Sequence, residues 1–276
     1  MEKIENKDSI QLADVLFAIL EQHKFGVFHR DTLSANVLFN GLIAKIIDYD
    51  QSQIVEEIKE LNPKDSIMFF VNGLAHCWVE KDKLLNIGQG LEEVTKNCMS
   101  YFIGDAFDFS KTSLYKSFEP MPFYAINEPQ VQSSGEIDIN NWKNVLNQIE
   151  FKENEKVLDV NPDTGVLSRY LSNRGCDTVA YSTHDNEIYA TKIISNILGV
   201  KVNTIKELNE DMKNFSSVFL LNNRENVDLT QFIGADRLIV RQKNNEDLSQ
   251  SVQNNYVVTK SFQLDETSNL IVLERI

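Results

Sequence analysis

The chain has 276 residues, 42% apolar and 25% charged, with 11 Gly and 5 Pro. That composition excludes collagenous, low-complexity and wholly disordered chains, and at roughly 150 residues per domain the length favours two domains. With 27 Lys and Arg against 41 Asp and Glu the formal charge is −14, so a phosphate backbone or an anionic bilayer meets net repulsion, and nucleic acid and membrane surfaces are not expected as partners. Cys77, Cys98 and Cys176 stand far apart, in neither a disulfide framework nor a zinc spacing, which fits a reducing compartment. No run reaches the roughly 18 apolar residues of a membrane span and the amino terminus has no signal-peptide pattern, so a cytoplasmic protein with no membrane span is expected.

Leu12, Val15, Leu16, Ile19 and Leu20 recur at helical spacing and Gly26 follows as a stop, predicting a helix over 10–24. Two short apolar runs, 37–39 and 44–47, flank Asn40-Gly41, the dipeptide best suited to a tight hairpin. Helical patterns resume over 54–61, from Asn62-Pro63 to Trp78, and more weakly over 91–102, so the first half reads as mainly helical. The stripe of Phe69, Phe70, Leu74 and Trp78 is explained by core packing. Three of the five prolines and a Ser-Ser-Gly fall between Phe118 and Gly135, which places a linker over 119–135 between domains 1–118 and 136–276.

Beyond it the rhythm changes. Strand-like runs at 156–160, 178–182, 216–221 and 237–240 alternate with helical patterns at 164–174, 186–198 and 226–233, the signature of a parallel α/β sheet. The chain ends in two further strand-like runs, YVVTKSFQL and LIVLERI, around a polar turn.

The segment GVFHRDTLSANVLFNGLIAKIIDYDQ, residues 26–51, carries His29-Arg30-Asp31, Asn36 five residues beyond the aspartate, a hairpin, and an apolar run ending in Asp48-Tyr49-Asp50. It resembles the catalytic loop and metal-binding segment of the protein-kinase-like phosphotransferases. The resemblance implies Asp31 as catalytic base and Asn36 and Asp48 as magnesium ligands, on a kinase C-lobe-like helical domain. The 28 residues ahead of His29 are too few for that family's nucleotide lobe. A magnesium nucleotide is therefore disfavoured as a cofactor unless a separate chain supplies the lobe.

The segment KVLDVNPDTGVLSRYLSNRGCDTVAYSTHDNEIYATKIISNILGV, residues 156–200, resembles the first half of class I S-adenosylmethionine-dependent methyltransferases, and the likeness extends to the chain end. It implies a doubly wound, mostly parallel, seven-stranded Rossmann-like sheet, with S-adenosylmethionine as cofactor. The family's acid is Asp159, and its three glycine positions are Asn161, Asp163 and Gly165. Asn and Asp tolerate left-handed φ, so the turn is expected to survive. The added side chains, and Pro162 with no N–H, are expected to impair ligand contact. The Asp163 carboxylate is placed either near the methionine carboxylate of the cofactor or as N-cap of a helix starting near Thr164. Ser182 stands where the family's ribose-binding acid belongs, and Asp185 either replaces that acid or caps the next helix.

The two halves together resemble bifunctional kinase and methyltransferase proteins of bacterial surface-polysaccharide synthesis. That implies a sugar or glycan, or another small molecule, as acceptor. Three functions remain open: a divergent methyltransferase, a non-catalytic scaffold that binds a partner protein or a glycan, and a phosphotransferase completed by another chain. An open cleft at the carboxyl ends of strands 156–160 and 178–182 would favour an enzyme or binder. A loop filled by Asn161, Pro162 and Asp163 would favour the scaffold.

Overall fold

The computed structural model describes residues 10–32, 34–55, 62–74, 91–208, 212–222, 228–243 and 250–276. The chain forms two compact units: one of residues up to Pro122 with Ile126–Gly135 and Asn196–Gly199, the other of Phe123–Ala125, Glu136–Ser195 and Val200–Ile276. Among the described residues no helix is long and apolar enough to cross a membrane.

The first unit opens with helix α1 (Leu12–Lys24), which buries Val15, Leu16, Phe17, Ile19 and Leu20. Asp14 accepts the Gln11 N–H in a capping box and also takes the N–H (2.7 Å) and hydroxyl (2.8 Å) of Ser113, so one buried carboxylate ties two segments together. Strand β1 (Val27–Phe28) follows, then the hairpin of β2 (Val37–Phe39) and β3 (Ala44–Ile46). The Asn40 side chain accepts the N–H groups of Leu42 and Ile43, and Gly41 has φ 92°, so Asn40-Gly41 opens the predicted hairpin, through a four-residue connection over 40–43 in place of a two-residue turn. Strand β4 (Gln53–Ile54) pairs with β1. Helices α2 (Pro63–Leu74) and α3 (Leu91–Met99) come next.

Three sequence expectations need correction here. The pattern over 54–61 begins in β4, and 56–61 lie outside the described residues, as do 75–90 with Trp78. Helix α3 stops at Met99, and the chain continues into β5 (Phe102–Ile103), β6 (Ala106–Asp108) and the short helix α4 (Ser113–Lys116). The stretch 119–135 is no linker: β7 (Ile126–Asn127) and β8 (Val131–Ser133) lie within it and join a four-stranded sheet of order β5-β6-β8-β7. Strands of two or three residues are too short to show a period among prolines. The unit is thus helical and sheet-bearing together.

The second unit, after the short helix α5 (Lys143–Leu146), is built on β9 (Lys156–Val160), α6 (Val166–Asn173), β10 (Asp177–Tyr181), α7 (Asp185–Leu198), β11 (Asn203–Ile205), β12 (Ser217–Leu220), β13 (Arg237–Lys243), α8 (Gln250–Gln253), β14 (Tyr256–Gln263) and β15 (Ser268–Arg275). The described strands form one sheet of seven in the order β11-β10-β9-β12-β13-β15-β14. The first five are parallel; β15 runs antiparallel between β13 and β14. This is the mixed, parallel-rich α/β architecture the alternating pattern predicts. Val157, Leu158, Val218, Phe219, Leu238 and Ile239 are fully buried, which is why these strands read as continuous hydrophobe. The pattern at 226–233 yields only a 3₁₀ turn over Leu229–Phe232, with 226–227 outside the described residues.

The topology singles out one place. From β9 the chain steps outward to β10 and β11, then returns to β12 on the other side of β9, so the β9/β12 boundary is a switch point. Open α/β sheets bind ligands outside the carboxyl ends of strands at such points. There, the loop from β9 into α6 depends on Gly165: its φ is 77°, and a Cβ would lie 2.7 Å from the Thr191 methyl and 2.9 Å from the Thr191 Cα. Gly175, at φ 86°, has nothing within 4 Å. Gly165→Ala is therefore expected to cost about 2–4 kcal/mol in urea unfolding, from left-handed strain plus overpacking against backbone, while Gly175→Ala costs about 1 kcal/mol from strain alone. Equal losses at the two sites would refute the close-packing role of Gly165.

Candidate functional site

The loop leaving β9 keeps the backbone of a glycine-rich turn with one glycine. Asn161, Asp163 and Gly165 have φ of 54°, 57° and 77°, so the alternating left-handed positions survive substitution by the residue types that tolerate them. The Gly165 N–H donates to the Pro162 carbonyl at 2.8 Å and the Asn161 N–H to the Tyr181 carbonyl at 2.9 Å. From just beyond β12, the Asn222 side chain donates to the Asn161 carbonyl at 3.2 Å.

Asp163 is fully buried and its carboxylate is spent on the backbone of a distant segment. One oxygen accepts the N–H of Phe123 at 2.8 Å, the other that of Tyr124 at 3.0 Å. The N-cap expectation is overturned: α6 begins at Val166, its cap is Gly165, and no side chain caps it. The rest of this short segment is equally tied. The Ala125 N–H donates to the Ile137 carbonyl (2.8 Å), the Ile137 N–H to the Phe123 carbonyl (2.7 Å), and the Thr164 hydroxyl to the Tyr124 carbonyl (3.3 Å). The Arg241 guanidinium stands 5.4 Å from the centroids of both Phe123 and Trp142, a cation–π arrangement that holds the segment from outside.

Two further acids share this interior. Asp159 is buried and accepts the Ser168 hydroxyl. Burial pushes its carboxyl up to about 7, against the Ser168 hydrogen bond and with help from the charges of Glu187 and Asp163. Glu187, in the first turn of α7, is likewise pushed up to about 7, chiefly by burial, with the Ser182 hydrogen bond opposing and Asp163 adding. The Tyr124 hydroxyl is buried without a hydrogen-bond partner among the described residues; burial and the charges of Asp159 and Asp163 raise its pKa. Glu187 lies within the matched segment, but neither its residue type nor its spacing marks it there as a buried acid.

The remaining candidates are placed as follows. Ser182 is fully buried and its hydroxyl accepts the His184 N–H at 3.0 Å. Asp185 is the first residue of α7 rather than its cap, and its exposed carboxylate pairs with Lys206. S-adenosylmethionine brings a ribose diol, a carboxylate and a sulfonium. In this conformation the loop residues do not fit it: Ser182 is inaccessible, both Asp163 oxygens are engaged, and the approach that Gly165 permits is taken by Thr191. At the opposite, amino-terminal end of the sheet a cavity of about 380 Å³ is lined by Glu155, Arg237 and Phe151 among others. Its charges answer each other, since the Glu155 carboxylate takes Arg237 at 2.5 Å, Ser217 at 2.7 Å and the Lys152 N–H at 3.0 Å.

In the first unit, the sequence-predicted loop residues are brought together in part. The His29 ring donates to the Ile47 carbonyl (2.7 Å), the Ile47 N–H donates to the Asn36 carbonyl (2.8 Å), and the Asn36 carboxamide donates to the carbonyl (2.9 Å) and carboxylate (3.1 Å) of Asp31. Asp31 and Asn36 are thus in contact, and exposed Asp48 directly follows the residue bound to Asn36. Arg30 and Asp48 both have φ 65°, backbone strain of the kind that collects at functional loops. Among the described residues no group of three or more His, Cys, Asp or Glu side chains is placed to hold a metal ion.

No family model matches the chain and no curated protein matches it. Solved structures similar to it include the PH0226 protein of Pyrococcus horikoshii OT3, at 14% identity and TM-score 0.43, covering 50% of this chain and 89% of that one. A SAM-dependent methyltransferase from Aquifex aeolicus follows at 14% identity and TM-score 0.41, covering 49% and 89%. Magnesium protoporphyrin IX methyltransferase from Synechocystis PCC 6803, solved with bound SAM, has 13% identity and TM-score 0.36 and covers 45% and 71%. At such values, what the loop can do has to be read from this chain's own residues.

The buried acids make stability depend on pH. Asp159 and Glu187 have ordinary values of 3.8 and 4.5 and folded values of about 7, so the folded state binds more protons between those limits. Stability is then greatest at the acid end of the window and falls as pH rises toward about 7, by up to a few kcal/mol in all. The two groups are close enough to titrate as a coupled set. Urea midpoints measured across this window are expected to decline with pH, and Asp159→Asn is expected to flatten the slope. A profile that rises with pH would contradict the assignment.

Proposed function

We propose that this chain is a methyltransferase-like protein that has given up methyl transfer and acts as a non-catalytic scaffold or binding protein, its partner being a protein or a glycan. The observation that carries this reading is the Asp163 carboxylate, buried in the loop at the switch point and bound to the Phe123 and Tyr124 N–H groups. A loop that holds a ligand must present free N–H groups and open space to it. Here the loop's own Asn161 and Gly165 N–H groups donate to the Tyr181 and Pro162 carbonyls. The buried Ser182, in place of an exposed acid, supports the same conclusion. A scaffold role for a surface-glycan enzyme is what the resemblance to bifunctional kinase and methyltransferase proteins suggests. Calorimetric titration of the full chain with S-adenosylmethionine is expected to give no saturable heat. Saturable binding that weakens in Asp159→Ala would return the protein to the methyltransferases.

A second reading is favoured by the first unit: a phosphotransferase lobe that works with a nucleotide lobe from another chain. It is supported by the Asn36–Asp31 contact at 3.1 Å and by the left-handed Arg30 and Asp48 beside it. In this reading Asp31 orients the acceptor hydroxyl and takes its proton, while Asn36 and Asp48 hold magnesium. Manganese, added as a paramagnetic substitute, would then broaden NMR signals of residues 29–50 in the native chain and leave them sharp in Asp48→Asn. Absence of broadening in the native chain would remove this reading.

A further inference from the structure

The amide pair that holds Asp163 is built to stand without it. Phe123 and Tyr124 present consecutive N–H groups to one carboxylate, one to each oxygen, at 2.8 and 3.0 Å. The segment that carries them is fixed by other bonds: the two exchanged with Ile137, the one from Thr164 to the Tyr124 carbonyl, and the Arg241 guanidinium over Phe123. None of these involves the Asp163 side chain. Asp163 itself occupies a left-handed position, φ 57°, which glycine adopts without strain. Removing its side chain therefore relaxes the backbone at 163 and leaves the receptor in place.

We propose that the Phe123–Tyr124 amide pair is a carboxylate-binding nest whose resident ligand is the chain's own Asp163, and that with this side chain removed it takes a free small monocarboxylate. The chemical match is close. An aspartate side chain beyond Cα is a CH₂–COO⁻ group, and acetate is the same group with one more hydrogen. The space is enclosed, since Asp163 is fully buried and Tyr124 is 1% exposed. The Tyr124 hydroxyl is buried, has no partner among the described residues and lies near enough to Asp159 and Asp163 for their charges to act on it. A buried pair of N–H groups left unpaired is costly, so the emptied nest has a strong reason to capture an anion of the right shape. Phosphate and sulfate are too large and carry too much charge beside Asp159 and Glu187.

This inference deepens the non-catalytic reading and rests on it for its meaning: the nest is occupied from within, so the loop is held closed with no small molecule required. Its test is separate. Thermal or urea unfolding of the full-length Asp163→Gly protein is followed in sodium acetate and sodium formate, against sodium chloride at equal ionic strength, with the wild-type chain alongside. The variant is expected to unfold more readily than wild type in chloride and to regain stability saturably in acetate or formate. At acetate tenfold above its dissociation constant, the folded-to-unfolded ratio rises about tenfold. Wild type is expected to show no such gain, and Asp163→Asn, which still fills the space, none either. Equal responses of wild type and Asp163→Gly, or a folded Asp163→Gly indifferent to carboxylates, would overturn the proposal. Should the glycine variant fail to fold in chloride, its refolding yield is compared in acetate and chloride, and equal yields would overturn it too. Binding of S-adenosylmethionine to wild type would defeat the non-catalytic reading while leaving the acetate result to stand or fall alone.

Discussion

The second unit turns on a carboxylate held by two backbone amides. Asp163 reaches out of the β9–α6 loop to Phe123 and Tyr124, a segment 40 residues away, and fastens it over the carboxyl end of the sheet. Hydrogen bonds from N–H groups to a carboxylate are stronger than neutral ones and contribute about 1.5–3 kcal/mol each where they form. In a buried site they also decide which alternatives are forbidden, because releasing the carboxylate would strand two donors and a charge away from water. The conformation of the loop at 163 follows from keeping that contact intact, while the segment it meets is held as well by Ile137, Thr164 and Arg241.

The loop separates two roles that glycine plays at once in a ligand-binding turn: permitting left-handed φ and leaving space beside the backbone. Asn161 and Asp163 meet the first requirement, with φ of 54° and 57°, and the Asp163 side chain takes up room beside the backbone to reach Phe123 and Tyr124. At Gly165 both requirements are met, and the space is taken by Thr191. A turn can therefore hold left-handed positions without a glycine at each of them, provided that they carry residues whose short polar side chains tolerate that region.

How far the sequence could be read follows the same physics. The strands of the parallel sheet were legible because residues such as Val157, Leu158 and Val218 are covered on both faces, and the hairpin because Asn40-Gly41 has few other uses. The left-handed backbone at Asn161 and Asp163 was legible from the resemblance, which sets both at glycine positions, together with residue types that tolerate it. The partner of Asp163 was not, because backbone amides carry no signature in a sequence: any residues could occupy 123 and 124 and still donate. The strands at 126–127 and 131–133 were hidden in a proline-rich stretch for a similar reason, being held by main-chain pairing rather than by a pattern of side chains. In the candidate site the residue types indicated which backbone angles the loop could take, whereas only the fold revealed what its side chains are bonded to.

The cluster around Asp163 shows how several acids are accommodated in one buried interior. Asp159, Asp163 and Glu187 lie close enough to influence one another's ionisation, and three negative charges in one desolvated interior would repel by more than their hydrogen bonds return. A proton kept near neutrality by Asp159 or Glu187 relieves that repulsion, while the paired amides of Phe123 and Tyr124 answer Asp163. Each buried polar group needs a partner or a proton, and here the chain supplies both from within. In the first unit the charges of Asp31 and Asp48 reach solvent, and buried Asn36 is neutral and bonded to Asp31, so at that loop no proton has to be taken up to relieve a buried charge.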